Sequence, residues 1–533
     1  MLLCLAALAL GGLVARVAAP KTPPRRVVLV VLDGLRPDFV RLDTTPNLWA
    51  LEQRGVFFEN HHAVYLSSTE ANGTAIATGA LPRTSGIVGN REFRPAIEAR
   101  RSFDTQGPDY IAKGDALTKG KYLALPTIAA QVQATGQRTV VASSKSVALL
   151  LDRPGGRLGE TVPPSTVLFT GTQNRVGTGG SETIALSIPP DAVKVIQDAV
   201  GVLPGTVTYP NEVQDAWTTT ALLDQLWRED VPVFTMLWLS EPDYAQHQHG
   251  PGSPEALAAI RSADRNLGRI VAGLKSRGLL DQTDILVVSD HGFSTVGNSR
   301  DVAALLRQAG FDALREFKDE PRAGQVMVVG NAGSIFLYVI GRDRSLTQKL
   351  VEHLQTTEYA SAIFARETFD GTFTLAEGAL DSPDAPDVVF SMRWSAEKSQ
   401  FGVPGMLYSD GRRARGSGNH ASLSRFEMHN TLVAAGPGIR EGARSETPSG
   451  NIDVAPTILH LLGIEPAGKM EGRVLREALR ESSAARREPP KSRTDRIERG
   501  KDFEKSRWRQ YLLVTRYGGS FYIDEGGATN EPK

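Results

Sequence analysis

The 533-residue chain holds one cysteine, Cys4, and no apolar run long enough to cross a bilayer. A single thiol forms no intramolecular disulfide, so the fold must be held by its packed core. A membrane-spanning helix needs about 20 apolar residues, whereas the run LLCLAALALGGLV covers only residues 2–14. Val17-Ala18-Ala19 follows it, small residues that suit signal-peptide cleavage after Ala19, although no Lys or Arg precedes the run. Cleavage would remove Cys4 and leave a periplasmic or secreted chain with no cysteine and no transmembrane span. An excess of charge is also missing: Lys plus Arg and Asp plus Glu both number 60. That balance gives no support to a nucleic-acid polymer or an anionic membrane surface as the main partner. No internal repeat is present, and nothing in the sequence fixes an oligomeric state.

What remains is an ordinary globular composition, 41% hydrophobic and 23% charged. Buried strands of a parallel sheet read as continuous apolar runs. Such runs occur at VVLVVL (27–32), RTVVAS (138–143), PVFTMLWLS (232–240) and DILVVS (284–289). Between them lie helix patterns. Thr45 as N-cap and Pro46 at the first position open one that closes at Gly55, residues 71–78 form another, and Ser253 opens a third that runs to Gly278. Alternating strands and helices predict an α/β fold. Residues 91–125 read as surface loops, 151–215 as weakly patterned apart from a helix near 191–200, and 478–508 as a solvated helix or linker. The expected organisation is a signal peptide (1–19), a catalytic core in two parts (26–294 and 416–476), an inserted cap or subdomain (295–415), and a charged linker and tail (477–533).

Ligands of open α/β sheets bind beyond the carboxyl ends of the strands. Here Asp33 follows the first strand, Asp243 and His247 follow the one at 232–240, and Asp290 and His291 follow the one at 284–289. His420 lies further on in GSGNHA. Each alone reads more readily as a turn or surface residue, but together they place oxygen and imidazole donors on one edge, a mixture that suits zinc or another first-row divalent ion. The stretch YLSSTEANG adds Ser67, Ser68 and Thr69 at a helix opening, where unpaired N–H groups attract an anion. A hydroxyl placed there becomes a nucleophile once a metal or base lowers its pKa.

The runs VVLVVLDGLRPDF, TPNLWAL, the hydroxyl followed by Asn72 and ATG, SGIVGN, EPDYAQHQHGP, VVSDHGF and GSGNHA together resemble the alkaline phosphatase superfamily, and within it the type I phosphodiesterase and nucleotide pyrophosphatase family. The resemblance spans most of residues 26–475. It implies an alkaline-phosphatase-like α/β fold, a mostly parallel sheet sandwiched between helices with a smaller inserted subdomain, and two Zn2+ ions. One ion would be held by Asp243, His247 and His420, the other by Asp33, Asp290, His291 and the nucleophile. Aligned on the family's motif, Thr69 is that nucleophile, with Ser68 its nearest rival, and Asn90 donates to a phosphate oxygen.

The implied activity is hydrolysis of a small phosphodiester or related phosphate or phosphonate ester through a covalent phosphoryl-enzyme. Two departures bear on the substrate. Glu70 stands where nucleotide-specific members carry a stacking aromatic. Monoesterases of the superfamily have a Lys-x-Arg pair, of which SSKSVAL keeps Lys145 but has Val147 in place of the Arg. An alkaline monoesterase and a catalytically silent binding protein of the same fold are the alternatives. The sulfatase nucleophile context, Cys/Ser-x-Pro-x-Arg, is absent from residues 67–71.

Overall fold

The computed structural model describes residues 25–152, 165–174, 181–480 and 491–533. The signal-peptide expectation for residues 1–19 lies outside them.

Nine strands form the main sheet: β1 (Arg26–Leu32), β2 (Gly55–Phe58), β3 (Thr139–Ser143), β4 (Thr166–Asn174), β5 (Ser181–Ile188), β6 (Phe234–Leu239), β7 (Thr283–Val288), β8 (Leu432–Ala435) and β9 (Ala443–Ser445). Their spatial order is β9-β2-β8-β7-β1-β6-β3-β4-β5. The central run β7-β1-β6-β3-β4 is parallel throughout, with Val31 opposite Val288 and Leu32 opposite Leu239. Antiparallel pairing enters only towards the edges, at β4 with β5, β7 with β8, and β2 with β8.

Alternation along β1 explains why both faces are covered. Val27, Leu29 and Val31 point into one apolar cluster, with Ile76, Ile128 and Ile458, while Val28, Val30 and Leu32 point into another, with Leu48, Leu222 and Leu267. The first face carries helices α2 (Thr69–Thr78), α3 (Ile128–Gln133) and α7 (Val454–Leu462). The second carries α1 (Pro46–Gln53), α4 (Glu212–Ala221) and α6 (Pro254–Ser276). Helix α5 (Asp243–His249) follows β6 directly.

Several elements differ from the sequence expectation. Thr45 does not cap α1 through its side chain. The carboxylate of Asp264 on α6 does so from across the chain, accepting from Asn47 N at 3.1 Å and Leu48 N at 2.9 Å. Such a cap satisfies helix N–H groups as a local one would. Residues 91–125 are not all surface loop: Pro108–Thr118 is helical, and Phe103, Ile111 and Tyr122 join the core. The weakly patterned 151–215 stretch contributes β4 and β5. The segment 478–508 is not a helix where it is described. It forms β10 (Arg493–Asp502), which pairs antiparallel with β11 (Ser506–Tyr517), which pairs in turn with β12 (Ser520–Pro532).

Between β7 and β8 lies a six-stranded sheet that includes Val326–Asn331, Ser334–Val339, Ala360–Ala365 and Val388–Met392. This sheet reaches the site loops. The amide N of Arg91 donates to Asn331 Oδ1 at 2.9 Å, and Ser334 Oγ donates to Ala421 O at 2.6 Å. Gln510 joins the C-terminal sheet to the same unit, with Oε1 accepting from Ile363 N at 2.7 Å and Nε2 donating to Ile363 O at 3.1 Å.

Candidate active site

Four adjacent strands, β7, β1, β6 and β3, end side by side and deliver Asp290 and His291, Asp33, Asp243 and Lys145 respectively. Two groups of donors result. Asp243, His247 and His420 each offer an atom within 4.8 Å of the others, as do Asp33, Asp290 and His291. His291 and His420 stack with centroids 3.7 Å apart, so the two groups share a wall.

The three histidines are oriented alike. Nδ1 of His247 lies 3.1 Å from Gly418 O, that of His291 2.9 Å from Gly292 O, and that of His420 2.9 Å from Ser67 O. A backbone carbonyl only accepts, so Nδ1 carries the hydrogen and Nε2 of the neutral ring turns a lone pair into the site. Burial drives the pKa of His291 down, and burial together with His291 and His247 drives that of His420 well down. Nε2 faces Asp243 Oδ1 at 3.3 Å from His247 and 3.6 Å from His420, and Asp290 Oδ2 at 3.2 Å from His291. The approach to Gly418 needs a bare backbone, because a Cβ there would come within 2.4 Å of Gln246 O.

Asp33 Oδ1, Asp243 Oδ1 and Asp290 Oδ2 are buried without a hydrogen-bond partner. Unsatisfied carboxylate oxygens facing imidazole lone pairs are costly unless a cation joins them. The donor sets, each of imidazole and carboxylate, therefore fit divalent ions of the zinc kind.

Thr69 is the first residue of α2, and its Oγ1 lies 3.3 Å from His291 Nε2. Its neighbours are placed differently. Ser67 Oγ donates to Ser422 O at 2.8 Å, and the buried Ser68 Oγ has no partner. The turn is held by Asn72, whose Oδ1 accepts from Val64 N at 2.7 Å while Nδ2 donates to Leu66 O and Ser68 O, both at 3.0 Å. Asn90 Oδ1 accepts from Glu70 N at 3.2 Å, which leaves its Nδ2 as a donor.

Lys145, expected in the site as the lysine kept from the monoesterases' Lys-x-Arg pair, lies between the two groups, with Nζ 2.8 Å from Asp33 Oδ2 and 3.0 Å from Asp243 Oδ2. Burial opposes its charge, but Asp243 and Asp33 outweigh burial and hold its pKa well above the ordinary value. Asp33 responds mainly to burial and to Asp290, which raise its pKa; for Asp243, burial is outweighed by Lys145 and His247, which lower it. Val147, the position of the missing Arg, is fully buried in the core. Two further participants were missed. Trp238 Nε1 donates to Asp33 Oδ2 at 2.8 Å, and Asn451 Nδ2 donates to Asn72 Oδ1 at 2.9 Å and to Asp290 O at 2.6 Å. Trp238 was visible only as an apolar strand residue, and Asn451 carried no signal.

The description "Type I phosphodiesterase / nucleotide pyrophosphatase" matches residues 27–397. The chain belongs to that family. Among curated relatives, mouse ectonucleotide pyrophosphatase/phosphodiesterase family member 7 is 23% identical over 497 residues, 91% of this chain and 94% of its own. Mouse bis(5'-adenosyl)-triphosphatase enpp4 is 20% identical over 447 residues, 83% and 78% of the two chains. Mouse family member 1 is 25% identical over 276 residues, 51% of this chain, and the match spans only about a quarter (24%) of that relative's length. The solved structure of murine ectonucleotide pyrophosphatase/phosphodiesterase 5 superposes with a TM-score of 0.59 at 17% identity, covering 85% of this chain and 100% of that one. This likeness shows the shared fold, a large central sheet with helices on both faces.

Proposed function

We propose that this family member hydrolyses phosphodiester or related phosphate and phosphonate esters, with Thr69 as nucleophile. One observation carries the reading: Thr69 stands at the opening of α2 with Oγ1 3.3 Å from Nε2 of His291, a member of the donor group Asp33, Asp290 and His291. Asp243, His247 and His420 would hold one divalent ion and Asp33, Asp290 and His291 the other, with zinc the ion that best suits the donors. When bound, such ions supply charge stabilisation of the phosphoryl group and a lowered pKa for the attacking hydroxyl.

The chain's own residues do the rest. Thr69 Oγ1 gives up its proton and forms a bond to phosphorus as the P–O bond to the ester oxygen breaks, the leaving alcohol taking up a proton from solvent, and water later cleaves the phosphothreonine, its oxygen going to the phosphate and a proton returning to the Thr69 hydroxyl. Asn90, its carbonyl oxygen fixed by Glu70 N–H, turns Nδ2 towards a non-bridging oxygen, a contact worth about 3 kcal/mol when aimed at developing charge. Lys145 supplies a fixed positive charge next to both carboxylates. The inserted sheet, 295–415 by the sequence division, acts as a cap that braces the loops bearing Asn90 and His420.

The relatives' names point to nucleotides, and one solved structure of the murine type 5 enzyme, an inactive form, is a complex with AMP. Glu70 argues against a stacked base here. Burial first, and Asp104 second, raise its carboxyl well above the ordinary range, so it favours the neutral form beside an anionic substrate. Lys145 favours a second reading, an alkaline monoesterase, because it could meet the extra phosphate charge; Val147, buried away from the site, supplies no second cation. We place the enzyme in the periplasm or outside the cell. This accords with residues 2–14, with relatives named as ectoenzymes, and with the lack, among the described residues, of any helix long and apolar enough to cross a membrane.

The test compares bis-p-nitrophenyl phosphate with p-nitrophenyl phosphate on chelated and zinc-restored protein. Diester preference that disappears with the metal and returns with it supports the reading. Strong monoester preference overturns the choice of substrate, and activity indifferent to chelation overturns the mechanism.

A further inference from the structure

We propose that His62, His429 and Asp524 form a third divalent-cation site, apart from the two donor groups around Thr69, that ties the C-terminal sheet to the catalytic core. Each of the three offers an atom within 4.8 Å of the others. They come from distant parts of the chain. His62 belongs to the two-residue strand His61–His62 that leads to the nucleophile turn, His429 follows the short helix Arg425–Met428, and Asp524 lies on β12. A backbone bridge holds His62 opposite His429, and their rings approach to 4.5 Å between centroids.

The protonation geometry asks for a cation. His62 Nδ1 lies 2.8 Å from Ser449 O, so it carries the hydrogen and Nε2 of the neutral ring is an acceptor. That acceptor faces another, Asp524 Oδ1, at 3.1 Å. Only a proton or a metal between them makes the contact favourable. The other carboxylate oxygen, Oδ2, accepts from Thr515 Oγ1 at 2.8 Å, which orients Oδ1 towards the rings as outer partners of metal ligands do. No hydrogen bond engages the ring nitrogens of His429 among the described residues, so the second imidazole is available as a ligand. A proton on His62 would gain nothing from an unpaired imidazole beside it, whereas a metal uses both rings.

Two imidazoles and one carboxylate suit zinc or a similar first-row ion, with water completing the shell. An ion can enter, since the Asp524 side chain is 17% exposed while that of His62 is fully buried. Arg425, on the short helix just before His429, is engaged with Glu525 Oε2 at 2.6 Å. Because none of these three residues belongs to the groups at Thr69, the site can fail or hold independently of the catalytic reading.

The full chain, stripped by chelator, reloaded with zinc and freed of excess, is assayed for bound metal by mass spectrometry, beside His429→Gln and Asp524→Asn. The expected result is one zinc fewer per chain in each variant than in the wild type, with diesterase activity kept and with the zinc-induced rise in Tm reduced. Equal metal content in all three overturns the site and assigns the contact to a shared proton. If either variant fails to fold, anomalous scattering from zinc-loaded wild-type crystals decides. A peak between His62 and His429 supports the site, and its absence while peaks stand beside Thr69 overturns it.

Discussion

The ammonium of Lys145 lies 3.0 Å from Oδ2 of Asp243 and also contacts Asp33, so one side chain belongs to both donor groups. A charged hydrogen-bonding group of this kind is worth about 1.5–3 kcal/mol. Lys145→Met should lower kcat/KM for the diester roughly 10- to 100-fold by that measure. The loss should be greater for the monoester, which carries more charge. Steady-state kinetics on the two p-nitrophenyl esters check this, and equal losses would remove the lysine from any part in discriminating them.

Thr69 and its two serine neighbours should separate cleanly. Removing a nucleophile typically costs at least about 10³-fold in kcat. Thr69→Ala is expected to lose that much, whereas Ser68→Ala, whose hydroxyl has no partner, should stay near wild type. Trapping phosphate on the protein and mapping it by mass spectrometry gives the same answer without kinetics. Label on Ser68 would reassign the nucleophile.

Asn72 is a positioning residue. Its carboxamide bonds to Val64 N, Leu66 O, Ser68 O and Asn451 Nδ2, all buried. Buried groups left unpaired cost about 1–3 kcal/mol each. Asn72→Ala should therefore destabilise the chain by about 3 kcal/mol or more in denaturant unfolding and lower kcat with KM little changed. A stability loss with full kcat would confine the residue to a structural role.

A stability test uses Asp152, which is buried and whose carboxyl is raised by burial to about 7. Its oxygens both accept from Gln133 Nε2 at 2.9 Å. The folded chain holds this proton between the ordinary value of 3.8 and about 7, a range in which the unfolded chain has released it. The contribution is therefore complete below pH 3.8 and is lost as pH rises through about 7. It is on the order of a few kcal/mol. Asp152→Asn should flatten the pH dependence of unfolding in that window relative to wild type, and parallel pH curves would refute the assignment.

The central strands were legible because a parallel sheet buried on both faces writes continuous apolar runs, and the residue after each run marks the reactive edge. Asp33, Asp243 and Asp290 were found in that way. The reach of Lys145 was not legible, since it depends on β3 lying beside β6, a pairing between distant segments. The strand Arg493–Asp502 was misread because nearly every side chain is exposed or half-buried, so no alternation of apolar residues announced it. His62, His429 and Asp524 are brought together only by the C-terminal strands, whose placement no local pattern carries.

Lys145, Asp243, Asp33 and Asp290 rise from four consecutive strands. Neighbouring strands stand about 4.8 Å apart, so the backbone ladder acts as a ruler for the spacing of these side chains. A side chain at a strand end cannot drift by fractions of that interval without breaking strand pairing. Mutation can thus reshape what enters the site far more readily than it can reset the distance across it, and new substrates in this scaffold must be won in the loops and the inserted sheet.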